Sequence, residues 1–440
     1  MKVLKIIHGY PPLYNAGSEV YSQTLCHELA SRHEVHVFTR VENPFLSDYQ
    51  IYEERDLLDS RILKHLVNLP LLRQRYRYQH DEMDALFNNL LQKINPDVVH
   101  IGHLNHLSTS LLRNIKNKGI PIVFTLHDYW LICPRGQFIQ RNPENGLTPW
   151  QNCDGQEDRK CGERCYSGYF SGNQEEWKED TDFWAHWVER RRLHLKEMIE
   201  LVDIFIAPSR YLLNRFKKEL NIPNSKLIYM DYGFDLERLK NRKREEEKSF
   251  VFGYIGTHTP QKGIHLLIQA FGNVKGNCCL RIWGRPRGEI TSGLEQIAHS
   301  LPQEKQEKIE WRFEYSNSHI VSEVFNHVDA IVVPSIWVEN SPLVIHEAQH
   351  LGVPVITADI GGMSEYVRHD VNGLLFMFRD EKSLAEQMQK MLDDPSYAKK
   401  LGRKRYLYSL NGDIPNIQDH GQEIETIYET LLQKKEKMTA

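Results

Sequence analysis

The chain has 440 residues, with 55 Lys and Arg against 59 Asp and Glu, 40% hydrophobic residues and 26% charged ones. This composition excludes a fibrous or largely disordered chain and, at roughly 100–200 residues per domain, predicts two domains. A net charge of −4 gives no electrostatic ground for nucleic-acid binding. No apolar run approaches the roughly 20 residues of a membrane span. The apolar start Met1–His8 runs directly into Gly9-Tyr10-Pro11-Pro12 with no cleavage-site pattern. That predicts a cytoplasmic protein. Seven cysteines, few and odd in number, agree with a reducing compartment.

Lys2–His8 is rich in Val, Leu and Ile and reads as a strand buried on both faces. An amphipathic helix follows at Ser18–Ser31. The alternation continues with strand Glu34–Thr39, helix Asp81–Lys93, strand Asp97–Ile101, helix Ser108–Lys116 and strands Ile120–His127 and Ile204–Ala207. Arg61, Lys64, Arg73, Arg75 and Arg77 read as a basic helix. The run Asn241–Lys248 reads as a solvated linker. Beyond it come strand Phe250–Gly256, helix Gly263–Phe271, strands Cys279–Trp283 and Ile309–Phe313, helix Ser318–Val328, strand Ala330–Val333, helix Pro342–His350, strand Pro354–Ala358 and helix Lys382–Leu392. Such alternation predicts two doubly wound parallel-sheet domains, Rossmann-like, with ligands at the carboxyl ends of their strands. The expected bounds are 1–240, 241–412 and a terminal helical segment, 413–440, that packs back toward the first domain. Only 130–178, rich in Gly, Asn, Cys and Trp, breaks the pattern, and it reads as a functional insertion.

The strongest local signal is Pro334-Ser335-Ile336-Trp337-Val338-Glu339-Asn340-Ser341-Pro342-Leu343-Val344-Ile345-His346-Glu347-Ala348. A strand ends at Pro334, and Ser341 followed by Pro342 is a helix start. The open N–H groups of that helix make an anion site facing the loop. Glu339 in the loop and Glu347 in the helix can face one ligand at different depths. Alone, the pair would be two surface carboxylates.

With Leu351-Gly352-Val353-Pro354, Gly361-Gly362-Met363-Ser364-Glu365 and Asn372-Gly373-Leu374-Leu375-Phe376, this region resembles the signature of glycosyltransferase family 4. Weaker echoes are Asn15-Ala16-Gly17-Ser18-Glu19, His127-Asp128, Ala207-Pro208-Ser209, Tyr232-Gly233-Phe234-Asp235 and Gly256 with Lys262-Gly263. The resemblance implies the retaining GT-B fold, two Rossmann-like domains facing across a cleft, and transfer of a hexose from a nucleotide sugar. Glu347 would bind the ribose hydroxyls and Glu339 would lie by the transferred sugar. The segment Asn340, Ser341, Pro342 and Leu343 would contact sugar and phosphate, and Lys262 would neutralise the leaving diphosphate. Gly17, Gly256 and Thr257 would line the donor. Thr257 stands where the family usually has Arg, and Arg285 or Arg287 could compensate. His127 would orient the sugar or acceptor, with His8, Asp128 and Tyr129 on the acceptor side. No cofactor is required for this catalysis, because Lys and a helix N-terminus can carry the phosphate charge.

Cys133, Cys153, Cys161 and Cys165 fall in the insertion and are either free thiols or ligands of a structural zinc. Trp130, Trp150, Trp177, Trp184 and Trp187, with the basic residues named above, raise the expectation of peripheral association with the inner face of the plasma membrane. The expected donor is a UDP-hexose, UDP-glucose first, with a GDP-sugar second. The acceptor is a saccharide or a lipid-linked saccharide in polysaccharide or glycoconjugate synthesis. Alternatives are a nucleotide-sugar epimerase or hydrolase, or a non-catalytic sugar-nucleotide-binding protein. An NAD oxidoreductase is opposed by the lack of a Gly-x-Gly-x-x-Gly turn.

Overall fold

Val3, Leu4, Ile6 and Ile7 are fully buried, as an unbroken apolar run requires of a strand covered on both faces. In the computed structural model, which describes residues 1–70, 78–141, 149–167, 174–245, 247–312 and 314–439, this run forms β1 (Lys2–Ile6). It is joined by β2 (Glu34–Val41), β3 (Ile51–Arg55), β4 (Leu63–Asn68), β5 (Val98–Ile101), β6 (Ile122–Thr125), β7 (Ile204–Ala207) and β8 (Leu227–Tyr229). They form one sheet in the order β8-β7-β6-β5-β1-β2-β4-β3. All pairings are parallel except β3 on β4. The chain leaves β1 toward β2 and later returns on the other side as β5. The carboxyl ends of β1 and β5 are therefore a topological switch point, where ligands bind in such sheets.

A second sheet contains β9 (Phe250–Ile255), β10 (Cys278–Trp283), β11 (Ile309–Trp311), β12 (Ala330–Val333), β13 (Val355–Ala358) and β14 (Gly373–Phe376). Its order is β11-β10-β9-β12-β13-β14, and it is wholly parallel. Here the switch point lies between β9 and β12. The chain divides into two units. The first is Met1–Leu147, Cys153–Phe234 and Pro415–Ala440; the second is Thr148–Asn152 and Asp235–Ile414. The last helix, Ile417–Thr439, thus completes the first unit. Its His420 Nε2 meets Tyr21 Oη at 2.8 Å, and its Tyr428 Oη meets His100 Nδ1 at 2.6 Å.

Several elements differ from expectation for physical reasons. The basic helix at Arg61 and Lys64 is instead a turn leading into β4. Val67 is buried there, and the Lys64 Nζ donates to Glu54 Oε1 at 2.6 Å across the antiparallel pair. Arg73, Arg75 and Arg77 lie outside the described residues. Ser318–Val328 is not one helix but three short turns, Asn317–His319, Ile320–Glu323 and Phe325–His327. The β-branched Ile320, Val321 and Val324 are poor helix formers and are buried instead. The insertion runs into a 27-residue helix, Gln174–Glu200. Asp182 lies on it and pairs with Arg159 at 2.6 Å.

Trp130, Trp184 and Trp187 are buried in the first unit rather than displayed. That removes three aromatic groups from the expected lipid-facing surface. The side chains of Trp150 and Trp177 lie outside the description. Among the described residues no helix is long and apolar enough to cross a membrane. Nor is Asn241–Lys248 a free linker. Arg242 donates to the Phe325 and Val328 carbonyls at 2.9 and 2.8 Å, and Arg244 forks onto Asp329 at 2.9 and 2.8 Å.

The first unit buries an unusual number of imidazoles. Burial pushes the proton affinities of His8, His100 and His127 below the ordinary value, and the Lys5 charge adds to this for the last two. His420 is pushed down by burial to about 4. Unfolded imidazoles titrate near 6.5. As pH falls from about 6.5 to 4, the unfolded chain binds more protons than the folded one, so stability falls. Asp84, raised by burial to about 6, opposes the trend alone. The thermal midpoint is expected to drop steadily from pH 7 to pH 4; a flat profile across that window would contradict the buried-imidazole account.

Candidate functional site

In the second unit, β12 ends at Val333 and the chain turns through Pro334–Ser341 before the helix Leu343–His350. Pro342, not Ser341, is its N-cap, and no side chain caps it. Its first N–H groups therefore keep the anion-binding potential the sequence suggested. Two glycines fix the turn by close approach. Gly263 has φ +71°, and a Cβ there would lie 1.9 Å from the Pro334 carbonyl oxygen. At Gly362 a Cβ would lie 1.3 Å from the Asn340 oxygen, and its N–H donates to the Glu339 carbonyl at 2.9 Å. Ile336 N–H donates to Gln261 O at 2.9 Å, and Arg379 holds the Ile336 carbonyl at 2.8 Å. The Lys262-Gly263 and Gly361-Gly362 segments thus grip the Glu339 turn from two sides.

The charges converge there. Lys262 Nζ donates to Glu339 Oε1 at 2.7 Å, and Ser335 Oγ donates to the same oxygen at 2.7 Å. Lys262 also lies 5.7 Å from the Trp337 ring centroid. Glu339 is 6% exposed and Glu347 5%. Glu347 pairs with Arg238, a residue the sequence did not single out. Burial, and next the Glu347 charge, push up the Tyr315 phenol. Burial and the Glu339 charge do the same to Tyr254. The Tyr254 hydroxyl donates to the Thr257 carbonyl at 3.3 Å. Gly256 ends β9, and a Cβ on Gly284, at φ +140°, would lie 1.9 Å from the Gly256 oxygen. Arg285 follows, but its guanidinium pairs with Glu314 on an exposed surface. Asn340 and Ser341 are buried in the turn; Leu343 opens the helix.

The first unit carries a separate group at the β1–β5 switch point. His8 Nε2 lies 3.3 Å from Glu19 Oε1, on the helix Gly17–Leu29 that Gly17 opens. His127 follows β6, and its Nδ1 meets the Tyr232 hydroxyl at 2.7 Å. Beside it, Asp128 stays 31% exposed. Tyr129 does not share that access. It is fully buried against Phe138, with ring centroids 5.0 Å apart, in the core of the insertion.

Burial, followed by the neighbouring thiols, pushes up the Cys161 thiol; Cys165 is pushed up to about 11, chiefly by burial. Cys133 and Cys153 lie within electrostatic range of both. Among the described residues, no group of three or more His, Cys, Asp or Glu side chains is disposed to hold a metal as it stands.

Comparison with known proteins resolves the family. A model described as "Glycosyl transferases group 1" matches residues 235–407, and one described as "Glycosyltransferase Family 4" matches residues 16–238. The chain belongs to glycosyltransferase family 4. Relatives of this family 4 chain include the capsular polysaccharide biosynthesis glycosyltransferase CapM of Staphylococcus aureus, 28% identical over 56% of the chain and 66% of the relative. Another is a UDP-Gal:alpha-D-GlcNAc-diphosphoundecaprenol alpha-1,3-galactosyltransferase of Escherichia coli, 29% identical over 40% and 48%. An uncharacterized glycosyltransferase of Methanocaldococcus jannaschii is 29% identical over 34% and 37%. The matches thus span between about a third and two thirds of these relatives' own lengths. Solved structures extend the likeness to the whole fold. Sucrose-phosphate synthase from Thermosynechococcus elongatus superposes with a TM-score of 0.67 at 16% identity, covering 98% of this chain and 99% of that one. Anabaena HepE in complex with UDP-glucose gives 0.63 at 17%, covering 99% of each. The family 4 chain therefore has the GT-B fold, with two Rossmann-like units, as expected.

Proposed function

We propose that this chain transfers a hexose from a nucleotide sugar to a hydroxyl of a saccharide or lipid-linked saccharide, with retention of configuration. The observation that carries this reading is the Lys262–Glu339 pair, held at 2.7 Å beneath an uncapped helix N-terminus at the β9–β12 switch point. Departure of a nucleoside diphosphate builds negative charge that a fixed cation and open N–H groups stabilise more in the transition state than in the ground state. Lys262 and the start of the Leu343 helix are the groups for that charge. Glu347, oriented by Arg238, is an acceptor for a ribose diol. Glu339 is left beside the sugar. His127, kept neutral by burial, can hydrogen-bond a sugar hydroxyl without adding charge.

The donor we favour is a UDP-hexose. Glu314, the carboxylate a guanine amino group could use, is already engaged by Arg285. HepE binds UDP-glucose, and the Escherichia coli relative is named for UDP-Gal. Calorimetric titration is expected to show UDP binding at least tenfold tighter than GDP, about 1.4 kcal/mol. Tighter GDP binding overturns the choice of donor and leaves the transferase reading intact. An epimerase or hydrolase on the same scaffold is separated by product analysis with and without added saccharide.

Structural zinc at Cys133, Cys153, Cys161 and Cys165 is a further part of this reading, supported by the preference of thiolates for zinc and by the placing of all four in one insertion. It requires the thiols to close into a ligand set. Freshly reduced protein is expected to carry about one equivalent of zinc, lost in Cys161→Ser; protein free of zinc removes the idea.

A further inference from the structure

His103 stands just after β5 and has no part in the signature motifs. Its two ring nitrogens have different partners. Nδ1 accepts the Asn105 backbone N–H at 2.9 Å. A nitrogen that accepts carries no proton, so the ring hydrogen sits on Nε2. Nε2 in turn lies 3.2 Å from both carboxylate oxygens of Asp128. Oδ1 also accepts the Trp130 backbone N–H at 2.7 Å. The ring itself is wedged between His8, with centroids 4.4 Å apart, and Trp130, at 5.4 Å. Tautomer, tilt and position of His103 are therefore all set by neighbours. It is 6% exposed, whereas the carboxylate it holds keeps nearly a third of its surface open.

Asp128 could be nothing more than a cap for the turn that begins at Tyr129, and one oxygen serves that purpose. Among the described residues the second oxygen has no backbone N–H partner and only shares the His103 ring proton, at 3.2 Å. Oδ2 lies 3.0 Å from where a Gly136 Cβ would sit, so only glycine there leaves it room. A carboxylate held by one ring N–H shared between its oxygens, and still nearly a third exposed, keeps lone pairs to accept from hydroxyl groups. The sign of the charge around it narrows the class. Glu19 is ionised: its burial favours the neutral form, but bonds from His8 and Ser18 prevail and hold it at about 2. Burial and His103 lower the proton affinity of His8, while Glu19 works the other way. Arg40, the cation sensed by His8, is paired with Glu42. Two carboxylates, Glu19 and Asp128, joined through His8 and His103 favour hydroxyls and disfavour a phosphate or uronate.

Resting on the transferase reading, we propose that Asp128 is the acceptor-reading residue of the first unit, that His103 is its positioning residue, and that the group read is the hydroxyl face of an uncharged sugar. The test uses the full chain, with methyl α-glucoside and glucuronate as probes, by saturation-transfer NMR and calorimetry, and UDP binding measured in parallel. Wild type is expected to bind the glucoside saturably and glucuronate at least tenfold more weakly. Asp128→Asn keeps the turn's acceptor but loses the charge, and is expected to weaken glucoside binding at least tenfold while UDP affinity stays within twofold. His103→Phe is expected to do the same, and His103→Gln, which restores an N–H donor, to recover most of the binding. A merely structural role for His103 would not distinguish Gln from Phe. Glucoside binding unchanged in Asp128→Asn overturns the proposal, as does equal loss in both His103 variants, or no glucoside binding by wild type. Loss of UDP binding by wild type would instead strike the transferase reading.

Discussion

Lys262→Ala is expected to lower turnover by about 10²–10³-fold, about 3–4 kcal/mol of transition-state stabilisation. Its ammonium is the cation on Glu339 Oε1, at 2.7 Å, and it projects from a turn that Gly263 seats under the Pro334 carbonyl. Removing it leaves Ser335 as a donor to Glu339, so the fold is expected to survive. The loss should appear in kcat more than in the KM for donor, because a departing diphosphate needs the charge more than a bound one does. Steady-state kinetics with a nucleotide sugar measure this. Wild-type kcat in the variant would mean that the diphosphate does not leave beside Lys262.

Arg238→Ala is expected to act on stability. The pair with Glu347 is largely buried, with side-chain exposures of 13% and 7%. Removing one partner of such a pair leaves an uncompensated charge and costs about 3–5 kcal/mol. In a unit of this size that lowers the thermal midpoint by roughly 6–20 °C, at about 2–4 °C per kcal/mol. Glu347→Gln in the same background should recover much of the loss, since it removes the stranded carboxylate. The double-mutant cycle checks the coupling directly. Additive effects would show that the two side chains do not depend on each other. UDP affinity should fall in both single variants, because Glu347 is the group offered to the ribose.

Much of this was legible in the sequence where one short segment carries both an element boundary and its chemistry. Pro334 through Glu347 spells a strand end, a turn and a helix, and the two glutamates sit where that grammar puts them. The parallel sheets followed from apolar runs such as Val98–Ile101 and Ala330–Val333, which only burial on both faces explains. What failed had its cue elsewhere in the chain. β3 carries Glu53, Glu54 and Arg55 on an exposed edge, so no apolar pattern announced it. The β4 register then depended on that unseen partner. Arg238 could not be read as the partner of Glu347 because the two lie 109 residues apart. His103 was invisible for the same reason, its partner being 25 residues on. Tyr129, next to His127 and Asp128 in sequence, turns into the core with Phe138, which adjacency in sequence did not announce. The tryptophans misled because a cluster in sequence is not a patch in space.

The order in which this chain is made gives the last helix a particular significance. Translation delivers residues 1–234 first, yet the fold of that stretch is unfinished until Ile417–Thr439 arrives. Tyr21 waits for His420 and His100 for Tyr428, each leaving a polar group in an apolar interior if the partner is missing. The second unit, contiguous from Asp235 to Ile414 apart from the short piece Thr148–Asn152, is otherwise synthesised within that interval. A ribosome-bound chain can therefore mature its second unit while its first is still open along one helix. Tyr21 also packs edge-on against His127, with ring centroids 5.5 Å apart. The surroundings of the His127 imidazole are thus among the last to be set in place, after the whole second sheet has been made.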